Sequence, residues 1–553
     1  MHFALIDMQW RIKSLIFIFG ILYFVLIFNI YNLQIQKGIY YLTKAETQER
    51  ASGILEAPRG NIYFTDRNNN LIPAALNKEY QMIYAVPKEI QKQGTSTLAY
   101  SEKLAPIVNL STEELEKLFA KPNDLYELLV EKATSEQIKE INDLNLKGIY
   151  TDSHLLRFYP FEDLASHLLG FVSSADETKK GVYGLELSFN ETLSGKPGEI
   201  KDGKTTESEP GKDLVLTIDR NIQAQAEEIL KKLVEEYRAV AGSVIVQEPQ
   251  TGKVLAMGSF PNFDPNNYSK SEIKNFLNPA IQAIYEPGSV FKLITMSAGI
   301  DSGKITPDTT YTDIGSFTAN GKTITNWDYT THGPYGKETM TNVIEHSINT
   351  GAVFAERTTG PDIFYNYLIK FGLNQPTSIT LPGEVRGNIN NLKNGKDIDF
   401  ATAAYGQGVA VTPIGLISAV SAIANGGVLM KPIILVDEKP ETIRRVISSE
   451  TARAVTQMMV SAVEKNVIAA IPDYSIAGKT GTAFVPIFGG KGYTDEVINT
   501  YVGFTPAPNP KFVVLIKLDK PAGAPLAGQS VVPAFRELTQ FILNYYNIAP
   551  DKI

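Results

Sequence analysis

The sequence predicts a multidomain α+β chain led by a membrane-spanning helix, on three observations. The chain is too long for one core, strand and helix patterns alternate irregularly, and an uncharged apolar run lies near the start. At 553 residues, and with about 150 residues per domain as the usual measure, roughly two to four units are expected. A hydrophobic share of 43% and a charged share of 20% are those of packed globular protein, which argues against long disordered tracts.

The apolar run is Ser14 to Gln36, free of charge and long enough for the ~20 residues that cross a bilayer core. Asn32-Leu33-Gln34-Ile35-Gln36-Lys37 follows it without the small residues a signal peptidase needs, so an uncleaved anchor is expected. Arg11 and Lys13 precede it while Lys37, Lys44 and Arg50 follow, so positive charge leaves the orientation open.

From 37 to 210 the pattern predicts an α+β module. IYFTDRNNNLIPAAL reads as strand, turn and strand, and YQMIYAV as another strand. Ser111-Thr112-Glu113-Glu114 and Thr134-Ser135-Glu136-Gln137 each fit a capping box, in which the first hydroxyl and the fourth side chain satisfy each other's backbone N–H. The Gly- and Pro-rich stretch from Ser194 to Gly211 marks a boundary or hairpin loop.

A second domain, 211–548, opens with strand and amphipathic helix in LVLTIDRNIQAQAEEILKKLVEEY. A hairpin turning at Pro249 to Gly252 follows. FVVLIKL is a strand near the other end, and PAFRELTQFILNYY a closing helix with Phe535, Leu538, Phe541, Ile542 and Tyr545 on one face. Strands at both ends predict a sheet assembled from distant segments.

The net charge of −8 gives no basic footprint for nucleic acid. Zero cysteines exclude thiolate metal sites and cysteine nucleophiles. The histidines, His2, His154, His167, His332 and His346, form no metal-binding helical pair, so neither metal nor cofactor is expected.

Three short elements then carry chemistry: Ser289-Val290-Phe291-Lys292, Ser347-Ile348-Asn349 and Lys479-Thr480-Gly481-Thr482. Each serine motif alone is weak, since roughly two S-x-x-K matches arise by chance in such a chain. Ser271 to Lys274 and Ser188 to Asn190 are decoys of that kind. Context separates them. Ser289 follows Glu286-Pro287-Gly288 and opens VFKLITMSAGI, predicted as a buried helix on which Ser289 and Lys292 share a face. Burial disfavours an ammonium, so Lys292 is suited to take the serine proton. The N–H of Ser289 at the helix start suits an oxyanion.

Lys479 to Thr482 lies in YSIAGKTGTAFV, predicted as a strand whose edge holds an extended peptide, with Gly481 allowing close backbone approach. Lys479 and the Thr480 hydroxyl suit a carboxylate, and the Thr482 N–H completes an oxyanion hole. Ser347 is expected to relay a proton to a leaving amine and Asn349 to hold an amide, on what reads as a helix end running into a glycine. His346 is expected to pack.

With these motifs in order, the sequence resembles the class B penicillin-binding proteins. Arg59-Gly60 with Asp66-Arg67, Arg157 to Pro160 with Ala165 to Gly170, and Gly181 to Glu186 look like that family's non-catalytic motifs. EPGSVFK, Gly406-Gln407-Gly408 with Thr412-Pro413, and YVGFTPAPNPKFVVLI look like its catalytic half. The family often has an arginine where Pro279 stands, and the likeness is nearer its division-type branch than its elongation-type one.

The resemblance implies a cytoplasmic tail (1–13), a transmembrane anchor (14–36), a pedestal or dimerisation domain (37–210) and a transpeptidase domain with an antiparallel sheet flanked by helices. It implies a serine transpeptidase outside the bacterial cytoplasmic membrane. Ser289 would be acylated by peptidoglycan stem peptides with release of D-Ala, and by β-lactams. The implied protein partner is a SEDS-type glycan polymerase, and no glycosyltransferase domain is expected in this chain. The alternatives are a D,D-carboxypeptidase or β-lactamase, which use water in place of the amine, and a non-catalytic scaffold.

Overall fold

The computed structural model describes residues 54–552, apart from positions 56, 95, 122, 174–178, 202, 203, 488, 491 and 524. The expected tail and anchor, 1–36, lie outside the described residues. Among those that are described, no helix is long and apolar enough to cross a membrane.

Two compact units emerge, and each is discontinuous in the chain. The smaller contains Asn77–Leu156 and Gly195–Gly211 with the described part of Met1–Pro58. Both capping boxes form in it. Ser111 Oγ accepts from Glu114 N at 3.2 Å while Glu114 Oε2 accepts from Ser111 N at 2.9 Å, starting the helix Thr112–Phe119. Thr134 and Gln137 do the same for the helix Ser135–Leu144. Their apolar faces close a core with Ile83, Leu104, Leu115, Phe119 and Ile141. Where two separate strands were expected, Ile72–Ala85 is one strand that continues through Asn77-Lys78-Glu79, although its alternation slips at Ala74 and Ala75.

The larger unit holds Arg59–Leu76, Arg157–Ser194 and Lys212–Ile553. Its first two pieces fall within the stretch that the linear reading gave to the pedestal. A buried carboxylate explains why they stay. Glu186, with no exposed side-chain surface, accepts from Arg59 Nε at 2.7 Å and Arg157 Nε at 2.6 Å. Arg59 also donates to Asn190 Oδ1, and Arg157 to the Gly60 carbonyl. Three distant motifs are thus clasped on one charge, and the decoy Ser188-Phe189-Asn190 serves this clasp. Removing one partner of such a buried group costs about 3–5 kcal/mol.

The central sheet of this unit has five antiparallel strands. In chain order they are β1 (Ala241–Gln247), β2 (Val254–Phe260), β3 (Ala477–Pro486), β4 (Tyr493–Thr505) and β5 (Phe512–Asp519). In space the order is β2-β1-β5-β4-β3, so the predicted hairpin joins the chain's last strand, and β3 is an edge.

Side chains alternate between faces. Val244, Val246, Val514, Ile516 and Leu518 pack with the helices α1 (Arg220–Glu236) and α6 (Val531–Tyr545). Ile245, Val513 and Leu515 join a cluster on the other face. That cluster includes α2 (Lys292–Asp301), α4 (Pro413–Ala424) and α5 (Ser449–Lys465). Lys479 lies two residues on from Ala477, which belongs to this second cluster, so the period of two aims it at α2.

Candidate active site

Ser289 does not begin an α-helix. Gly288–Phe291 forms a 3-10 turn, and α2 starts at Lys292. The tighter turn follows from Pro287 and from Gly288, whose φ of 58° suits a residue without a Cβ. Lys292 is fully buried and Ser289 partly exposed. Behind them Phe291, Leu293, Ile294 and Met296 are all fully buried, fixing the turn against the core.

The edge strand presses on this turn. A Cβ on Gly481 would sit 2.5 Å from the Pro287 carbonyl, so the close approach that glycine permits is to the Ser289 turn itself. A Cβ on Gly406, at φ +82°, would lie 2.1 Å from the Gly288 carbonyl, which accounts for the Gly406-Gln407-Gly408 signal.

The S-x-N element is also reshaped. The helix Met340–Glu345 ends, Ser347 takes a left-handed φ of 57°, and α3 (Asn349–Thr359) begins at Asn349. The expected helix end is therefore a break between two helices. Gly351, rather than stopping a helix, lies within α3, where a Cβ would meet Val343. His346 is half of a ring stack with Tyr335, at 5.3 Å between centroids, in keeping with a packing role.

These elements converge. Lys292 Nζ donates to the Ser347 carbonyl at 2.5 Å and to Asn349 Oδ1 at 2.9 Å, with Ser347 Oγ at 3.3 Å. Lys479 Nζ donates to Ser347 Oγ at 3.0 Å, and lies 3.3 Å from the Thr480 hydroxyl. Ser347 is thus held between two lysines. The Ser289 hydroxyl makes no hydrogen bond among the described residues, leaving it available at the mouth of the site. Thr482 turns its hydroxyl away, accepting from Ala527 N at 3.2 Å.

Burial and the nearby Lys479 charge drive the Lys292 pKa well below the usual lysine range, opposed by Asp328. Burial lowers Lys479 to about 7. A neutral Lys292 has two hydrogens, and its two short contacts use both. The lone pair remains for a proton.

Sequence reasoning missed several neighbours, because no motif flags them. Asp328 is buried, accepts from Tyr335 OH at 2.5 Å and keeps one oxygen without a partner among the described residues. Glu286, beside the nucleophile turn, has its pKa raised by burial against hydrogen bonds from Gly408 and Tyr493. Trp327 stays 59% exposed. Two clefts of about 310 and 270 Å³ lie elsewhere, lined by residues such as Arg220 and Glu227, and Phe371 and Leu429; neither includes a predicted site residue. Among the described residues no acidic, histidine or cysteine cluster could hold a metal.

The family model "Penicillin binding protein transpeptidase domain" matches residues 242–540, and "Penicillin-binding Protein dimerisation domain" matches 54–216. Stage V sporulation protein D of Bacillus subtilis is 31% identical, over 94% of this chain and 83% of that protein. Peptidoglycan D,D-transpeptidase FtsI of Escherichia coli is 29% identical, over 88% of this chain and 84% of that one. The crystal structure of penicillin binding protein 3 from Mycobacterium tuberculosis with aztreonam superposes with a TM-score of 0.70 at 27% identity, covering 90% and 98% of the two chains. A transpeptidase domain that follows a dimerisation domain in the chain, with relatives matched over more than four fifths of their length, places this chain in the class B family of penicillin-binding proteins, to which it belongs.

Proposed function

We propose that this peptidoglycan D,D-transpeptidase of bacterial cell-wall synthesis works through an acyl-enzyme on Ser289. The observation that carries the reading is the shared Ser347: Lys292 and Lys479 meet on it, and both lysines are buried. In acylation, Ser289 Oγ attacks the penultimate D-Ala carbonyl of a stem peptide. The new O–C bond replaces the C–N bond to the terminal D-Ala. The hydroxyl proton passes to the Lys292 lone pair, and a proton reaches the departing amine through Ser347. An amine from a second stem peptide then attacks the ester, regenerating Ser289 as its proton returns by the same route.

The N–H groups of Ser289 and Thr482 face the developing oxyanion, Lys479 and Thr480 hold the terminal carboxylate, and Asn349 holds a substrate amide. Gly481 keeps the edge strand close to the nucleophile, so a peptide added to β3 meets Ser289 directly. The same groups accept a β-lactam, whose ring amide stands in for the D-Ala-D-Ala bond. The apolar run at 14–36 anchors the chain in the cytoplasmic membrane with its bulk outside, where the substrate is, and a SEDS-type polymerase is its partner there.

The test is mass spectrometry of the folded protein after penicillin treatment. An adduct on the peptide containing Ser289, lost in Ser289→Ala, is expected. Absence of acylation would favour a scaffold, and release of product by water faster than by amines would favour a carboxypeptidase or β-lactamase.

A further inference from the structure

The helix α3 starts at the residue that touches Lys292, yet its N-cap position is Ile348, whose side chain has no acceptor for the first free N–H groups. Asn326, a buried residue from a distant segment, supplies it. Its Oδ1 accepts from Asn349 N and Thr350 N, both at 3.1 Å. An amide could present either end, so something must choose the oxygen. Asp313, 2% exposed, accepts from Asn326 Nδ2 at 3.0 Å, and only the observed orientation gives that bond. Asp313 is itself fixed, accepting from Tyr335 N at 2.8 Å, Gly315 N at 3.0 Å and Thr350 Oγ1 at 2.5 Å.

The same segment orients the Asn349 side chain. Asn349 Nδ2 donates to the Thr325 carbonyl at 3.0 Å, which leaves Oδ1 for Lys292 Nζ at 2.9 Å. Two residues earlier Ser347 holds a φ that a serine rarely adopts, a state that persists only where the surroundings impose it. The cap on one side and Lys292 on the other impose it here.

We propose that Asn326, locked by Asp313, is a positioning residue for the reaction: it caps α3 from outside and so fixes Ser347 and the Asn349 amide against Lys292. The inference rests on the catalytic reading above. It assigns to Thr325–Asn326 and Asp313 the task of setting where the proton-transfer groups stand, although neither Asn326 nor Asp313 hydrogen-bonds to either lysine.

The experiment is the second-order rate of acylation of the full chain by a fluorescent penicillin, measured with thermal melting for wild type, Asn326→Ala, Asn326→Asp and Asn326→Asp with Asp313→Asn. Asn326→Ala is expected to slow acylation by about 10- to 100-fold, the scale of a misplacement near 1 Å, in protein that still melts cooperatively above the assay temperature. Its acid limb is expected to move to lower pH, because an Asn349 amide that no longer accepts from Lys292 favours the ammonium less.

Asn326→Asp keeps a capping oxygen but sets it against the Asp313 carboxylate. The double variant restores a donor–acceptor pair and is expected to recover part of the rate. A wild-type rate and an unmoved pH profile in folded Asn326→Ala would overturn the proposal, as would a loss that merely tracks the unfolded fraction. Should Asn326→Ala fail to fold, equal rates for the Asp single and double variants would overturn it. Wild type that is not acylated, or is acylated away from Ser289, would instead overturn the catalytic reading.

Discussion

Two buried lysines that meet on one hydroxyl disfavour each other's charge, and the electrostatics at Ser347 follow from that. Lys479 depresses Lys292, so in Lys479→Gln the Lys292 pKa rises. The acid limb of residual acylation is then expected at higher pH than in wild type, read from a β-lactam acylation profile. Stability responds with a fixed sign. Lys479 titrates near 7 in the fold and near the ordinary value of about 10.4 when unfolded, so the unfolded chain binds the extra proton between them. The penalty is full below about pH 7 and gone above about pH 10.4. Wild type should therefore gain melting temperature relative to Lys479→Gln across that window, and a flat difference would refute the burial argument. Ser289, Lys292 and Lys479 were legible in the sequence because motif order and apolar context isolate them. The left-handed turn at Ser347 was not, since nothing local favours it; Asn326 and Lys292 hold it from other segments.

At the level of elements, the sequence was most readable where the physics is local. Both capping boxes form at the expected residues, and the strand and amphipathic helix after Asp213 appear as Leu214–Asp219 and α1. It failed where neighbours decide. The buried run after Gly288 satisfies a helical pattern, but Pro287 and the adjacent edge strand tighten its first turn to 3-10. The contact between that turn and β3 is specific enough to test. In Gly481→Ala the new methyl group meets the Pro287 backbone, which cannot swing aside as a side chain would. A loss of about 1–3 kcal/mol from overpacking is expected, together with acylation reduced more than about tenfold as Ser289 is pushed from the strand. Thermal melts and β-lactam labelling read the two effects separately, and unchanged labelling would show that strand and turn need not touch.

On the scale of the molecule, the linear boundary near residue 210 and the compact units differ because chain order and packing differ. Ile62, Phe64, Leu168, Leu169 and Leu185 share one cluster with Leu216, Met257 and Leu293, and all are essentially unexposed. Each such side chain stabilises by about 1.5–3 kcal/mol, so removing several exceeds the usual 5–15 kcal/mol of a domain. A fragment 212–553 is therefore expected to aggregate or melt without cooperativity, whereas a chain that retains 59–76 and 157–194 folds; circular dichroism melts decide. A cooperative fragment with normal labelling would contradict this. The sheet topology has a further bearing on biogenesis. Because the β1–β2 hairpin finds its next neighbour only in β5, about 250 residues further on, a polypeptide emerging during synthesis must leave the inner edge of that hairpin open until almost the whole sheet has been made, and early local pairing cannot close this core.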